Sequence, residues 1–396
     1  MKNPSSTHIL FFLFFISLLL ILAPFQSQGD IVSSVQQQPV STDPYQYHSY
    51  QTMTDLLVQL YKNHSDIMSL WSIGTTYEGR TIWMVKLSDH AERDEDEPGV
   101  LLMGAHHGNE KPSYESLLYF IQLVVEQYGK ENLDNDDDGL VNEDIIDGRD
   151  NDGDGFIDED LSEERITSIV DQTQLFIIPM VNPDGVEANT RKNCAPNYGR
   201  YGLRKTITSY GVDLNRNYEY KWYLYRVFPW SYHQAYTSMD AGWNYRGPYP
   251  FSENETRAVR YVAESQDISI SLSYHSYGEF LFYPWTHTSI STPHEALFAS
   301  IGENISAING YYLYKGNTYL IPRFGGTLGT SENWLYGRQG ILSFTIELCQ
   351  TRAPVEPEIV EEYCRDHVGV NLYVCERSWT IDQEKQQMEH MVTTVG

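Results

Sequence analysis

The stretch GAHHGNEKPSYE, beginning at Gly104, sets His106 and His107 side by side and places Glu110 three residues after the second. Imidazole and carboxylate at this spacing can share a divalent cation, and a catalytic zinc ion takes three protein donors and keeps one position open. On its own such a pair is more often an ordinary polar turn. Here it follows the apolar run GVLLMGA directly, so it stands at a strand end, where α/β proteins collect their sites. None of the other eleven histidines has Glu three residues on, and His106, the rival donor, has Asn109 there. A third donor must come from far along the chain. His275, in SLSYHSYGEF, again ends an apolar run, although a strand-end His between Tyr274 and Tyr277 is by itself more often structural. A hydrolase built on such a cation also needs a base. Glu347, in SFTIELC, sits inside an otherwise apolar strand, where a lone carboxylate is costly unless it is salt-bridged or functional.

The elements that must position these groups follow from the hydropathy pattern. YQTMTDLLVQLYKNHSD, SYESLLYFIQLVVEQYG and HEALFASIGENISAIN have helical spacing. TIWMVKLSD, GVLLMGA, QLFIIPMVNPDG and ILSFTIELC are apolar runs of strand length, ISISLSYHSYGEFLFYPW suggests two strands, and EPEIVEEYCRDHVGVNLYVCERSW closes as a helix. Strands alternating with helices imply an α/β domain whose sheet is covered on both faces.

The chain has 396 residues, 41% of them hydrophobic, enough for one large domain with a real core. An uncharged apolar run from Ile9 to Leu22 after a single Lys reads as a secretory signal over residues 1–28, with an uncleaved anchor as the lesser alternative. A Gln- and Ser-rich linker follows over 29–44, the folded domain over 45–379, and a short tail over 380–396, with no later segment apolar enough to cross a bilayer. Export allows Cys194, Cys349, Cys364 and Cys375 to form disulfides. Cys364 and Cys375 lie eleven residues apart on one helix, about 16 Å, too far to bridge. The formal net charge of −27 argues against nucleic acid as a partner.

About half of that charge is concentrated. Leu133 to Arg165 holds fifteen acids against two arginines, and within it DNDDDGLVNED and DNDGDGFIDED repeat sixteen residues apart. Each copy places oxygen donors at positions 1, 3, 5, 9 and 11: Asp134, Asp136, Asp138, Asn142 and Asp144, then Asp150, Asp152, Asp154, Asp158 and Asp160. Gly139 and Gly155 occupy the turn position, so the insertion 133–165 is expected to bind calcium in loops like those of thrombospondin type 3 repeats or dockerins. The bland alternative is a solvated acidic linker.

Together with NPDG at Asn182, TRKN at Thr190, GVDLNRNY at Gly211, YHSYG at Tyr274 and FTIEL at Phe344, the HGNE motif resembles the zinc carboxypeptidases of the A and B type, from about Tyr45 to Trp379. The resemblance implies a single domain with a mixed, mostly parallel sheet between helices, one catalytic zinc, and peptide or protein C-termini as substrates. It implies zinc on His107, Glu110 and His275, with Glu347 activating water and Arg191 steadying the oxyanion. Asn215 and Arg216 would grip the substrate carboxylate, Tyr277 would line the substrate site, and Asp213 would orient His107. Glu332, two residues before Trp334, falls at the floor of the family's primary pocket, where an acid selects C-terminal Lys or Arg. The family's mobile tyrosine has no clear counterpart: nine residues before Trp334 stands Gly325, beside Phe324, with Tyr319 further off. Asn109 replaces an Arg common in digestive members. The long inhibitory prosegment of the digestive enzymes and the C-terminal β-sandwich of the regulatory ones are not expected here. The expected activity is a secreted zinc exopeptidase. The rivals are a cell-wall muropeptide peptidase of the same superfamily and a silent, calcium-dependent binding module.

Overall fold

The central strand of the sheet, β3 (Gly99–Met103), is buried along its whole length and sends alternate side chains into two different cores. Val100 and Leu102 join one apolar cluster, while Leu101 and Met103 join the other. A strand with both faces covered needs helices on both sides, which is why its sequence reads as an unbroken apolar run. The computed structural model describes residues 44–130, 160–194, 211–224, 244–314 and 327–395.

Eight strands form one sheet. In chain order they are β1 (Met68–Thr75), β2 (Thr81–Leu87), β3, β4 (Gln174–Ile178), β5 (Ile268–Ser276), β6 (Phe280–Phe282), β7 (Tyr312–Tyr314) and β8 (Leu342–Leu348). Across the sheet the order is β1-β2-β4-β3-β5-β8-β6-β7. β4, β3, β5 and β8 run parallel, and the antiparallel pairings lie on either side of this block. The mixed, mostly parallel sheet between helices is as expected.

The larger core lies under helices α1 (Tyr50–Asn63), α2 (Pro112–Gln127), α3 (Asp160–Val170), α6 (Glu295–Asn309) and α8 (Pro357–Val395). α1 starts at Ser49, which forms a reciprocal capping box with Thr52 and so satisfies two orphan N–H groups. Its apolar stripe of Met53, Leu57 and Leu60 is buried. The smaller core lies under α5 (Asn254–Ser265), whose Ala258, Val259 and Val262 pack on β1 and β2. The described residues also include the short helices α4 (Pro183–Glu187) and α7 (Ser331–Trp334).

The register of β5 against β8 matters most for the site. It pairs Ser271 with Ser343, Ser273 with Thr345 and His275 with Glu347. Ile270, Leu272 and Tyr274 alternate with them into the larger core, together with Phe344, Ile346 and Leu348. One face of these two strands is therefore apolar and the other is a row of hydroxyls ending in His275 and Glu347.

One expectation changes. The chain does not become a tail at residue 380: α8 continues to Val395, Ile381 is buried, and Lys385 donates to the Gly340 carbonyl. TIDQEKQQMEH contains no Gly or Pro to stop a helix. Cys349, Cys364 and Cys375 are buried free thiols. The signal and linker segments lie outside the described residues, as do Tyr319, Phe324 and Gly325. So do the calcium-loop residues Asp134, Asp136, Asp138, Asn142, Asp144, Asp150, Asp152, Asp154 and Asp158, while Asp160 opens α3.

Candidate active site

His107 and Glu110 belong to a tight turn between β3 and α2. The Glu110 N–H donates to the His107 carbonyl, and the Ser113 hydroxyl donates to the Glu110 carbonyl while accepting from the Ala105 N–H. The turn then lies on α4. A Cβ added at Gly108 would sit 1.9 Å from the Gly185 carbonyl carbon, so no other residue fits there. Asn182 ties the pieces together: its amide donates to the carbonyls of His106 and Lys192, and its Oδ1 accepts from the Gly185 N–H. HGNE and NPDG are thus two halves of one interlocked backbone, and Asn182, given no role by the sequence, is its bolt.

β5 brings His275 to this turn. Glu110 Oε2 lies 2.9 Å from His107 Nδ1 and 2.8 Å from His275 Nδ1, and the two Nδ1 atoms are 3.1 Å apart. A tetrahedral zinc with bonds of ~2.0–2.1 Å needs donor atoms about 3.3 Å apart, so a few tenths of an ångström of outward movement would make room. Burial favours neutral His275 and depresses its pKa, against the pull of Glu110. Burial opposes ionisation of Glu110, yet the two imidazoles hold it well below the usual carboxylate range. A neutral-imidazole, ionised-carboxylate set is what zinc takes, and the three residues fit the ion.

The surroundings orient the donors. Asp213 Oδ1 lies 3.0 Å from His107 Nε2, which fixes the ring and leaves Nδ1 for the metal. Burial would raise Asp213, but Arg191, then Arg216 and His107, hold it well below its ordinary value. Arg191 Nε donates to Asp213 Oδ2 at 2.8 Å, and its Nη1 reaches to 3.5 Å from Glu110 Oε1. The guanidinium therefore stands at the rim of the donor set. Glu347, at the end of β8, is raised well above the carboxylate range by burial and by the nearby Glu110, with Arg191, Arg352 and Arg216 opposing.

Asn215 and Arg216 sit in a 3-10 turn, Leu214–Arg216, against α7. Asn215 Oδ1 accepts from the Ser331 N–H at 2.8 Å, and its Nδ2 lies 3.3 Å from His275 Nε2. Gly329, at φ 71°, packs where a Cβ would meet the Arg216 carbonyl at 2.2 Å. Tyr277 is half-exposed, with the Arg352 guanidinium 5.7 Å from its ring centre. Glu332 is fully buried at the base of α7. Its Oε1 accepts from the Thr286 hydroxyl at 3.1 Å, while Oε2 is buried with no hydrogen-bond partner. Ser343, beneath it on β8, donates to its carbonyl. The structure thus brings His107, Glu110, His275, Asp213 and Asn215 into one buried cluster, with the partly buried Arg191 and Glu347 beside it and Arg216 and Glu332 on its flank.

His106 is not a third donor. Its Nε2 faces the Tyr218 hydroxyl at 2.8 Å and its Nδ1 faces the Ser273 hydroxyl at 3.3 Å, so neither nitrogen is offered to the cluster. Tyr218 and Ser273 likewise carry no role in the sequence reading. The alternation of Ser with Ile and Leu in ISISLSYHS was the available signal, since it marks a polar face on a strand otherwise buried among apolar side chains.

The chain is similar to known proteins in sequence and in fold. The zinc carboxypeptidase family model matches residues 53–368. A zinc carboxypeptidase of Saccharothrix mutabilis subsp. capreolus is 28% identical over 317 residues, covering 76% of this chain and 62% of that protein. Carboxypeptidase A1 of Rattus norvegicus is 23% identical over 328 residues, covering 81% of this chain and 67% of its own length. In fold, the chain is similar to the carboxypeptidase A of Helicoverpa armigera, with a TM-score of 0.63 at 20% identity over 84% of this chain and 73% of that one. With a matching family model over most of its length, this His–Glu–His cluster at the end of a mixed sheet, and the corresponding fold, the chain belongs to the zinc carboxypeptidase family.

Proposed function

We propose that the chain is a secreted zinc metallocarboxypeptidase that hydrolyses the C-terminal peptide bond of peptides or proteins and prefers C-terminal Lys or Arg. The observation that carries the reaction is the β5–β8 register, which sets Glu347 beside His275 and hence beside the donor set. Zinc held by His107, Glu110 and His275 would supply a water of pKa near ~7 and polarise the scissile carbonyl. Glu347 is the group placed to take the proton of the attacking water and return it to the departing amine. The Arg191 cation stands where negative charge would develop on the carbonyl oxygen. The Arg216 fork matches a terminal carboxylate in bidentate geometry, and this restricts cleavage to chain ends.

The preference rests on Glu332. A buried carboxylate oxygen without a partner costs several kcal/mol, and a substrate ammonium or guanidinium would offset that cost. Thr345, two residues before Glu347, also has a buried hydroxyl without a partner. Both groups can accept a hydrogen bond from a cationic side chain and neither gains from an apolar one. Export rests on the N-terminal apolar run. Among the described residues no helix is long and apolar enough to cross a membrane. Calcium binding in the insertion rests on the repeated acidic loops.

A peptide library varying only the C-terminal residue tests the reading. Zinc-dependent release of single C-terminal residues, fastest for Arg and Lys, is expected. Faster release of Phe and Leu than of Arg would show that Glu332 does not face the substrate.

A further inference from the structure

His106 is fully buried, polar, and next to a metal donor without being one. Its ring lies nearly parallel to that of His275, with centroids 5.6 Å apart and planes 18° apart, an offset stack. Glu110 meets His275 at Nδ1, Asn215 at Nε2, and the His107 ring is tilted by 58° to it. His106 is its near-parallel neighbour. It is itself held at both nitrogens, by Tyr218 and Ser273, and by its backbone carbonyl on Asn182. Tyr218 is immobilised in turn, fully buried, edge-on to Phe251 and tilted against Trp334.

We propose that His106, held by the Tyr218 hydroxyl, is a positioning residue that fixes the plane of His275 and so aims its Nδ1 at the zinc position. An imidazole bound through one nitrogen can swing about its χ2 axis, and each departure from the metal–ligand plane weakens the bond. Asp213 limits this for His107 through a hydrogen bond. For His275 the Asn215 amide at Nε2 acts in the same way, and the near-parallel ring of His106, itself pinned by two hydrogen bonds, adds to it. The polar residue is needed because an apolar one would leave the Tyr218 hydroxyl buried without its partner.

The inference rests on zinc binding as proposed above, and its test reads the metal rather than turnover. Zinc-loaded full-length protein is mixed with a chelating indicator, and the release rate is compared for wild type, His106→Ala and Tyr218→Phe. His106→Ala should release zinc roughly 10- to 100-fold faster, the scale of losing an outer partner of a metal ligand. Tyr218→Phe, which removes only one oxygen, should move in the same direction by a smaller factor. The visible spectrum of the cobalt(II)-substituted protein should shift in both variants, because the ligand field follows the His275 plane. General loosening of the fold would lower the apo-protein's unfolding midpoint without moving that spectrum. Release within twofold of wild type and an unchanged cobalt spectrum in the variants overturn the inference. If His106→Ala does not fold, Tyr218→Phe decides alone. A wild-type chain that retains no zinc overturns the proposed function and this inference with it, whereas wild-type retention with unchanged variants overturns this inference only.

Discussion

Among the described residues two groups of His and carboxylate side chains hold their donor atoms within 4.8 Å of one another: His107, Glu110 and His275, and Asp89, His90 and Glu95. The spacing inside the two is alike. His90 Nδ1 lies 3.0 Å from Asp89 Oδ2 and 3.1 Å from Glu95 Oε1, much as the Nδ1 atoms of the first group lie about Glu110. Their surroundings differ. The side chains of the first group are 2–4% exposed, whereas those of His90, Asp89 and Glu95 are 45%, 29% and 14% exposed. Asp213 braces His107 from behind, while both carboxylate neighbours of His90 lie at the same nitrogen. Arg93 also approaches Glu95 to 3.5 Å and competes for its charge. Donor type and spacing are therefore not enough. A rigid, dry setting with braced rings makes a site, and a solvated cluster can disperse its donors into water.

The largest contrast to test is metal content. Zinc analysis should give one equivalent per chain, His107→Ala should reduce it to none, and His90→Ala should leave it unchanged. A fall in zinc content in His90→Ala would break the comparison. Within the buried group, Glu347→Gln should keep zinc and fold while losing roughly 10² to 10⁴ in kcat, the scale of general-base loss. Near-full activity in that variant would remove Glu347 from its role.

A smaller effect sharpens the same point about burial. Glu332 is raised by burial and so is a neutral acid at the low end of its range, ionising as pH rises through its elevated pKa. The ratio of kcat/KM for C-terminal Arg over Phe should therefore climb with pH, and Glu332→Ile should flatten or reverse it. A ratio independent of pH would show that this carboxylate stays away from the substrate.

The smallest expected effect concerns the acidic repeat, where many carboxylates lie close in sequence. Calcium at ~100 times its dissociation constant would add up to about 2.7 kcal/mol to stability by mass action. Differential scanning calorimetry with and without millimolar calcium measures it, and an unchanged transition would leave the insertion a solvated linker.

The outline of the sheet and the identity of the central groups were legible because chemistry and hydropathy are local. GVLLMGA announces a buried strand, and His107 with Glu110 announces a donor pair at its end. Less was legible where an element has no one-sided pattern. β1 lies at the sheet edge with only two of its eight residues buried, and α5 is rich in charge on its outer face, so neither stood out. α8 passed its expected end because nothing after Trp379 breaks a helix.

By itself the sequence determined which residues could hold zinc, supply a base and bind a carboxylate, because residue type fixes the donor atoms and the charge a side chain can carry. It also favoured His107 over His106, because His107 has Glu three residues on, but only the tertiary structure decided what holds His106 instead, the hydroxyls of Tyr218 and Ser273. Neighbours on one strand or turn sit only about 3.8 Å apart along the chain but point to different sides of the backbone. Which side becomes the site depends on what β5, Tyr218 and Asp213 bring to it from far along the chain.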